Sequence, residues 1–373
     1  MSGIYIHIPF CKQKCYYCDF HFSVSLSRKG EMLKAIQTEL QLRKREIIQP
    51  IETLYFGGGT PSILTTDEIQ LLLDTVYQNY NVINNPEITL EANPDDLSSE
   101  KIKELSATGI NRLSIGIQSF FDEDLQYMNR AHTAMEAKDC LLAAKGSFDN
   151  ITIDLIYGIP YMTDDRWKEN LKIAFDLETP HISAYALTVE KKTALASFIK
   201  KGKYPPLDEK QALQHFKILT AETAKHNYIA YEISNFGKEN YFSKHNTSYW
   251  QGKHYLGIGP SAHSFNGNIR SWNIANNSKY IKAIQQNKLP SEMEKLSKKD
   301  QFNEMIMTGL RTIWGVSLDQ IEQDFGFSCK KDLIHKSNKY LHNNTLKMNN
   351  NTLFITEKGK FLADGIAADL FEL

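Results

Sequence analysis

The sequence lacks the features that mark membrane-spanning, secreted and nucleic-acid-binding proteins. No apolar run reaches the ~18 residues that a membrane-spanning helix needs. The apolar stretch at the N-terminus is short and ends directly in cysteines, unlike a signal peptide. Lys and Arg number 43 against 44 Asp and Glu, so no excess of positive charge favours nucleic acid or an anionic membrane. We therefore expect a cytoplasmic protein with no nucleic-acid partner.

Cysteine is also scarce, with five in 373 residues. In a reducing compartment, cysteines are expected to bind metal more often than to form disulfides. Cys140 and Cys329 are isolated, and we expect ordinary thiols there. The other three, Cys11, Cys15 and Cys18, form a C-x3-C-x2-C motif.

This motif predicts an iron–sulfur site. Thiolates are soft ligands and hold iron–sulfur clusters. A cubane cluster has four irons, so three cysteines leave one iron open to another ligand. A chance spacing and a zinc site short of one ligand are the alternatives. The apolar strand before the loop, and Tyr16 and Tyr17 within it, argue against both.

Six apolar segments alternate with amphipathic helical segments in the first half of the chain. They cover residues 3–8, 52–56, 87–93, 111–118, 150–157 and 181–187. This alternation predicts a parallel sheet with helical crossovers, although periodicity does not distinguish a closed barrel from an open sheet. In either architecture, ligands bind at the carboxyl ends of the strands, where the cysteine loop lies.

The length and the 42% hydrophobic content predict one large domain with an appendage. We expect the main domain in residues 1–190 and a connecting region in residues 191–296, with loops and short strands over residues 228–272. Residues 297–373 resemble a small winged-helix unit. The lysines of this unit are scattered and balanced by acids, which argues against a DNA reader.

Polar residues and glycines follow several strands at this predicted edge. Residues 57–61, Gly-Gly-Gly-Thr-Pro, suit a backbone that approaches a ligand closely, or simply a tight turn. Three polar residues end or follow strands, namely Glu91, Gln118 and Arg130. The planar guanidinium of Arg130 suits a carboxylate ligand. Each of the three could instead be satisfied by backbone. Asp154 lies within an apolar strand, where a carboxylate needs a partner.

Together these motifs resemble the oxygen-independent coproporphyrinogen oxidase family of radical S-adenosylmethionine (SAM) proteins. The shared strings are Tyr-x-His-x-Pro-Phe-Cys-x3-Cys-x2-Cys, Gly-Gly-Gly-Thr-Pro, Glu-x-Asn-Pro, Gly-x-Gln-Ser, Asn-Arg-x-His and Asp-Leu-Ile-Tyr-Gly-x-Pro. The resemblance implies an α/β fold, a partial (β/α)6 radical SAM barrel with a C-terminal α+β, winged-helix-like cap. It implies a [4Fe-4S] cluster on Cys11, Cys15 and Cys18, whose open iron chelates SAM. The SAM contacts that it implies are Tyr5, Tyr17, Gly58, Gly59, Thr60, Glu91, Gln118, Arg130 and Asp154.

Two branches of this family differ next to the cysteine motif. The coproporphyrinogen dehydrogenases resemble each other in a fourth cysteine two residues after the third and in an N-terminal arm. This chain has Phe20 at that position and only ten residues before Cys11. The heme chaperones of HemW type read Cys-Asp-Phe there and carry His-Asn-x-x-Tyr-Trp downstream. The corresponding residues here are His245, Asn246, Tyr249 and Trp250.

The second motif is suited to heme. Imidazole is a common axial ligand of heme iron, Tyr249 and Trp250 could stack on a porphyrin, and Asn246 could orient the imidazole or bind a propionate. The alternative is a polar–aromatic loop whose His245 is satisfied by the protein. His254 and His263 are further candidates for the iron ligand.

The resemblance thus implies a heme chaperone that holds the cluster, SAM and heme. Its partners would be heme and recipient hemoproteins, including ones at the membrane surface. The cluster would serve assembly, homodimer formation or transfer. The alternative is an oxygen-independent coproporphyrinogen III dehydrogenase, which decarboxylates propionates through a 5′-deoxyadenosyl radical. A radical SAM enzyme acting on RNA is disfavoured, because the sequence has no basic patch.

Overall fold

The computed structural model describes residues 2–372. The strands are β1 (Ser2–Ile8), β2 (Ile51–Gly58), β3 (Val82–Ala92), β4 (Arg112–Gln118), β5 (Asn150–Tyr157), β6 (His181–Ala186), β7 (Ile229–Ala230), β8 (Asn235–Gly237), β9 (His254–Ile258), β10 (His263–Phe265), β11 (Ile269–Asn273), β12 (Ser291–Lys295), β13 (Val316–Ser317), β14 (Leu346–Asn349) and β15 (Thr352–Ile355). The helices are α1 (Lys29–Leu42), α2 (Thr66–Asn79), α3 (Ser99–Ser106), α4 (Asp122–Met128), α5 (Ala134–Lys145), α6 (Asp164–Asp176), α7 (Ala194–Lys200), α8 (Glu209–Lys225), α9 (Lys244–Trp250), α10 (Asn277–Gln285), α11 (Lys298–Leu310), α12 (Leu318–Phe325), α13 (Phe327–His342) and α14 (Ala363–Leu370). Within residues 2–372, no helix is both long and apolar enough to cross a bilayer.

The six predicted strands form a parallel sheet in chain order. Each of β1 to β5 pairs in parallel with the next strand, and helices connect them as predicted. Side chains alternate between the two faces of each strand. On β1, Ile4, Ile6 and Ile8 are fully buried in the hydrophobic core, whereas Tyr5 and His7 lie on the opposite face. That second face is the polar interior in which the candidate site lies.

The same sheet continues beyond the six strands on both sides, which the sequence did not indicate. β8 and β7 follow β6, whereas β9 pairs in parallel with β1 and leads to β10, β11 and β12. The result is one 12-stranded sheet. The sequence prediction of loops and short strands over residues 228–272 also missed the helix α9. Short segments carry a weak local signal, and the open sheet edges decide where they pair.

A buried carboxylate anchors this extension of the sheet to α1. Glu39 is fully buried and accepts hydrogen bonds from Tyr280 Oη at 2.5 Å and Gly259 N at 2.8 Å. Asn273 Nδ2 donates to it at 2.7 Å, and Arg43 Nη1 lies at 3.0 Å. A buried charge is tolerated when it is paired and hydrogen-bonded in this way. The extension is therefore held in a defined position.

The C-terminal unit has its own hydrophobic core, separate from that of the sheet. Phe302, Ile306 and Leu310 of α11 pack with Leu333 and Leu353. The three-stranded sheet of this unit has the order β13-β15-β14, beside α12, α13 and α14. Two helices, a two-stranded hairpin and a final helix follow each other in the order that the sequence predicted.

Candidate cluster and cofactor site

The three cysteines lie in a loop after β1 whose backbone is tied to distant parts of the chain. Cys11 N donates to Ser23 O at 3.1 Å, and Tyr16 N donates to Met128 O at 3.1 Å. Leu195 N in turn donates to Tyr16 O at 2.8 Å. The loop is therefore held by its own return segment, by the end of α4 and by the start of α7.

Side-chain donors reach the sulfur atoms of Cys11 and Cys15, and the backbone of Phe20 reaches that of Cys18. Thr60 Oγ1 donates to Cys11 Sγ at 3.4 Å, and Arg130 Nη1 donates to Cys15 Sγ at 3.4 Å. Such donors stabilise the negative charge of a thiolate. Burial raises the pKa of Cys11 to about 12 and also raises the pKa of Cys18, so these thiols keep their protons until a metal displaces them.

Three soft sulfur donors on one loop make a donor set that suits an iron–sulfur cluster. Within residues 2–372, no group of three or more His, Cys, Asp or Glu side chains is arranged to hold one metal ion. Three thiols on one loop suit a cluster, because each thiolate then binds a different iron. Cys11, Cys15 and Cys18 are the residues that would hold it.

The glycine segment lies against the cluster loop, and its small size is required there. A Cβ on Gly59 would lie 2.5 Å from Phe10 O, and a Cβ on Gly58 would lie 2.6 Å from the His7 ring. Gly58 also has a φ of 111°, a conformation that side chains disfavour. Thr60 N donates to Phe10 O at 2.7 Å. The end of β2 can approach the cluster loop this closely only because Gly58 and Gly59 lack side chains.

Two carboxyl groups lie on the polar inner face. Glu91 accepts hydrogen bonds from Tyr55 Oη at 2.9 Å and from Gly58 N at 3.2 Å. Burial raises its pKa to about 7, and these bonds oppose the rise. Burial also raises the pKa of Asp154, to about 6. The positive charge of Arg112 lowers both pKa values. Both groups can accept a hydrogen bond from a ligand when they are ionised.

Arg130 connects the cluster loop to the ends of β3 and β4. Its Nη2 donates to Asn93 Oδ1 at 2.8 Å and to Gly116 O at 2.9 Å, while Nη1 contacts Cys15. Its Nε is buried and has no hydrogen-bond partner. Gln118, which ends β4, has a φ of 65°. An unsatisfied buried donor is costly, so the Nε of Arg130 fits a site that receives an anionic ligand.

The two predicted tyrosine contacts lie in different elements, with Tyr5 on the inner face of β1 and Tyr17 in the cluster loop beside Arg130. Tyr5 Oη lies 3.1 Å from His7 Nδ1, and the Tyr5 ring lies 6.0 Å from that of Tyr55. Burial raises the pKa of Tyr17, and the nearby Arg130 charge opposes that rise. Of the predicted SAM residues, Thr60 and Arg130 contact the cysteines directly. The roles of all the predicted residues as SAM contacts stay predictions.

The structure buries His245 away from any open surface. The residue is 1% exposed. Its Nδ1 lies 2.7 Å from Thr53 Oγ1, and its Nε2 lies 2.7 Å from Tyr249 Oη. The Tyr55 ring stacks on it at 4.9 Å, and burial lowers its pKa to about 3, so the imidazole is neutral. Because both ring nitrogens are engaged, this arrangement favours the alternative of a histidine satisfied by the protein.

The last two residues of the His-Asn-x-x-Tyr-Trp motif lie at a different location. Tyr249 and Trp250 line a cavity of ≈ 890 Å³ between the sheet extension and the C-terminal unit. His245 and Asn246 do not line it. The structure therefore divides the motif, with the histidine on the inside and the final aromatic pair facing the cavity.

Sequence reasoning missed three residues of the inner surface. Asn93 holds Arg130, Arg112 is 1% exposed beside the two carboxyl groups, and His7 packs on Gly58. Asn93 and His7 belong to motifs that the sequence shows, so spacing could have identified them. Arg112 carries only the weak signal of a charged residue at the start of an apolar strand.

Two family models match the chain. The Radical SAM superfamily model matches residues 5–174, and the HemN C-terminal domain model matches residues 296–362. Membership of the superfamily implies SAM and a [4Fe-4S] cluster as cofactors. Among solved structures, coproporphyrinogen III oxidase (HemN) from Escherichia coli, described as a radical SAM enzyme, superposes with a TM-score of 0.86 at 22% identity. The match covers 99% of this chain and 90% of that one, which confirms the predicted radical SAM fold.

Similarity to two bacterial proteins extends over the whole chain. Heme chaperone HemW of Bacillus subtilis (strain 168) is 32% identical, with 98% of each chain covered. Heme chaperone HemW of Lactococcus lactis subsp. lactis (strain IL1403) is 34% identical, again with 98% of each chain covered. Identity at this level over the full length confirms the branch that the sequence motifs indicated. The chain belongs to the heme chaperone HemW family of radical SAM proteins.

Proposed function

We propose that this protein is a heme chaperone, which binds heme and delivers it to hemoproteins. The observation that carries the proposal is a radical SAM-type site in which Phe20 occupies the position of the dehydrogenases' fourth cysteine. The Phe20 side chain is 74% exposed beside the cluster loop. The full-length similarity to proteins named heme chaperones supports the same conclusion.

In this proposal the barrel holds a cluster and SAM. When bound, the cluster supplies an open iron that chelates the amino and carboxylate groups of SAM. The glycine segment would lie against the SAM amino group, and the Arg130 guanidinium would pair with the carboxylate. Glu91 and Asp154 would accept hydrogen bonds from the ribose or the amine. These residues bind and orient SAM, and nothing in the proposal requires that SAM be cleaved.

We also propose where the protein acts and how it is divided. The compartment is the cytoplasm, and the recipients are hemoproteins, including ones at the membrane surface. The protein works as a homodimer in at least one step. Residues 1–190 carry the cluster and SAM, residues 191–296 connect, and residues 297–373 form a separate unit.

Heme transfer tests this proposal directly. Purified protein, reconstituted anaerobically with iron and sulfide, is titrated with heme and then mixed with an apo-hemoprotein. We expect stoichiometric binding with a Soret band, followed by movement of that band to the acceptor. A protein that never binds heme stoichiometrically, with its cluster intact, contradicts the proposal.

Coproporphyrinogen III dehydrogenase is the second candidate, because a radical SAM-type site of this kind could also serve that reaction. The same reconstituted protein is incubated anaerobically with SAM, a reductant and coproporphyrinogen III. Loss of coproporphyrinogen would support the enzyme. An intact cluster with no turnover removes this candidate and leaves the chaperone.

A further inference from the structure

We propose that heme binds in the ≈ 890 Å³ cavity, with its ring against Trp250 and its iron bound by the sulfur of Met305. This inference rests on the proposed heme-binding function and assigns that function a site. The volume lies within the ~300–1,000 Å³ of small-molecule and cofactor sites. The proposed iron ligand is therefore not the histidine of the sequence motif.

One wall of the cavity is an aromatic surface on the sheet extension. Phe265 of β10 pairs with Tyr255 of β9 and with Arg270 of β11, so these three side chains share one face of the sheet. Tyr249 meets the Tyr255 ring edge-on at 4.5 Å. Trp250 continues this wall. Broad aromatic surfaces of this kind are suited to a flat, largely apolar ring.

The opposite wall is one face of α11. Lys298, Gln301, Met305 and Thr308 all line the cavity, and their spacing of three and four residues places them in a row along the helix. Met305 lies in the middle of this row. A thioether is an established axial ligand of heme iron.

No histidine or cysteine of the described residues lines the cavity, whereas Tyr249, Tyr255, Met305 and Met307 do. The Tyr249 hydroxyl is engaged by His245, and the Tyr255 ring packs edge-on against Tyr249 within the wall. Of the two methionines, Met305 belongs to the row on α11 and is the ligand assigned here.

One cation on the cavity wall, Lys298, is suited to a propionate of heme. Arg270 is already paired with Glu304, and Arg311 with Asp364 at 2.6 Å. Lys298 has no ion pair within residues 2–372, and its ammonium group lies 5.6 Å from the centre of the Phe325 ring. A carboxylate in the cavity would give this cation a charge-assisted partner without breaking an existing pair.

His245 then acts as a positioning residue. Its Nε2 holds the Tyr249 hydroxyl, and Tyr249 lines the cavity. Trp250, the next residue, lies 5.7 Å below the guanidinium of Arg311. The histidine therefore supports the aromatic wall from inside the protein, without contact with the heme iron.

The test is a titration of the full-length protein with ferric heme, in which affinity and band positions are both recorded. We expect Met305→Leu to keep the cavity volume but to shift the Soret and visible bands, since the iron loses its sulfur ligand. Met305→His should bind heme with the bands of an imidazole ligand. Trp250→Ala should weaken binding by up to about tenfold, as expected for the loss of an aromatic stack.

Two control variants separate an effect at the heme site from a general effect of substitution on heme binding. Met293→Leu changes a methionine that is 70% exposed on β12 and should leave affinity and bands as in the wild type. His245→Gln should keep the wild-type band positions even where affinity falls. A shift of the bands in His245→Gln, with none in Met305→Leu or Met305→His, would overturn the assignment.

The outcomes also separate this inference from the proposed function. If wild type binds heme, and Met305→His and Trp250→Ala bind it with unchanged affinity and bands, the cavity is not the site but the chaperone function stands. If wild type does not bind heme, the proposed function itself fails.

Discussion

The imidazole Nε2 of His245 lies 2.7 Å from the hydroxyl of Tyr249, one helical turn further along α9. Thr53 Oγ1 holds the other ring nitrogen at the same distance. A motif that suggested an iron ligand thus forms a buried chain of hydrogen bonds between the sheet and α9. Because the neutral ring is buried, the folded protein resists its protonation and loses stability at low pH.

We predict that His245 makes the protein less stable as the pH falls below 6.5. Its pKa is about 3 in the folded protein against 6.5 in an unfolded chain, so between these values the unfolded state binds the extra proton. Stability that is fully present above pH 6.5 is then lost as the pH falls, by about 1.4 kcal/mol per unit from this group. Urea unfolding of wild type and His245→Gln at pH 7, 6 and 5 measures the effect.

The comparison of the two proteins isolates this histidine. Burial also lowers the pKa values of His7 and His132 to about 4, and it raises those of Glu91 and Asp154, which act in the opposite direction. These groups are present in both proteins and cancel in the difference. Equal slopes against pH in wild type and His245→Gln would contradict the prediction.

Replacement of Cys11, Cys15 or Cys18 by Ala should abolish the cluster. Each variant removes one of the three thiols that the loop presents, and the remaining two cannot hold the cluster. Iron and sulfide analysis after anaerobic reconstitution measures this, together with the brown absorbance. Cys140→Ala is the matched control, since this thiol is buried in α5. A single-cysteine variant that kept its full iron and sulfide would refute the assignment.

Gly59→Ala should displace the cluster loop. Its Cβ would lie 2.5 Å from Phe10 O, a backbone atom that cannot move alone. We expect a loss of stability of ~1–3 kcal/mol, as for other overpacked sites, together with weaker SAM binding. Thermal unfolding and SAM titration of the reconstituted protein measure the two effects.

Gly30→Ala serves as the control for this substitution. Gly30 lies in α1, and its Cβ would meet nothing within 4 Å. The alanine should be neutral or stabilise the helix by up to about 1 kcal/mol. Similar losses in both variants would show that close packing at Gly59 is not the cause.

Arg130→Lys should weaken SAM binding although it keeps the charge. The guanidinium donates to Asn93 Oδ1, to Gly116 O and to Cys15 Sγ, and a lysine cannot make these three contacts in one geometry. We expect a loss of at least about tenfold in SAM affinity, equivalent to about 1.4 kcal/mol. Calorimetric titration with SAM measures it, with iron content as a check that the cluster remains.

Arg28→Lys provides the comparison for a surface arginine, because Arg28 pairs only with exposed partners. It should bind SAM as the wild type does. If Arg130→Lys also bound SAM normally, Arg130 would not contact the ligand.

The parallel sheet and the location of the site were predictable because their signals are local. Apolar runs such as residues 150–157 need only their own sequence to indicate a strand. The cysteine spacing and the glycine run likewise identify themselves. Parallel strands present their carboxyl ends at one edge, so residues as distant in the chain as Cys15 and Arg130 were expected to lie together, and they do.

The sequence by itself determined the six parallel strands, the cysteine loop and the family of this protein, because short patterns encode each of them. Only the tertiary structure decided that β9 to β12 extend the same sheet and that Glu39 anchors them. It also decided that His245 lies between Thr53 and Tyr249. These arrangements depend on pairing and burial between segments that are far apart in the chain. No local pattern distinguishes a histidine that binds a ligand from one that the fold has already satisfied.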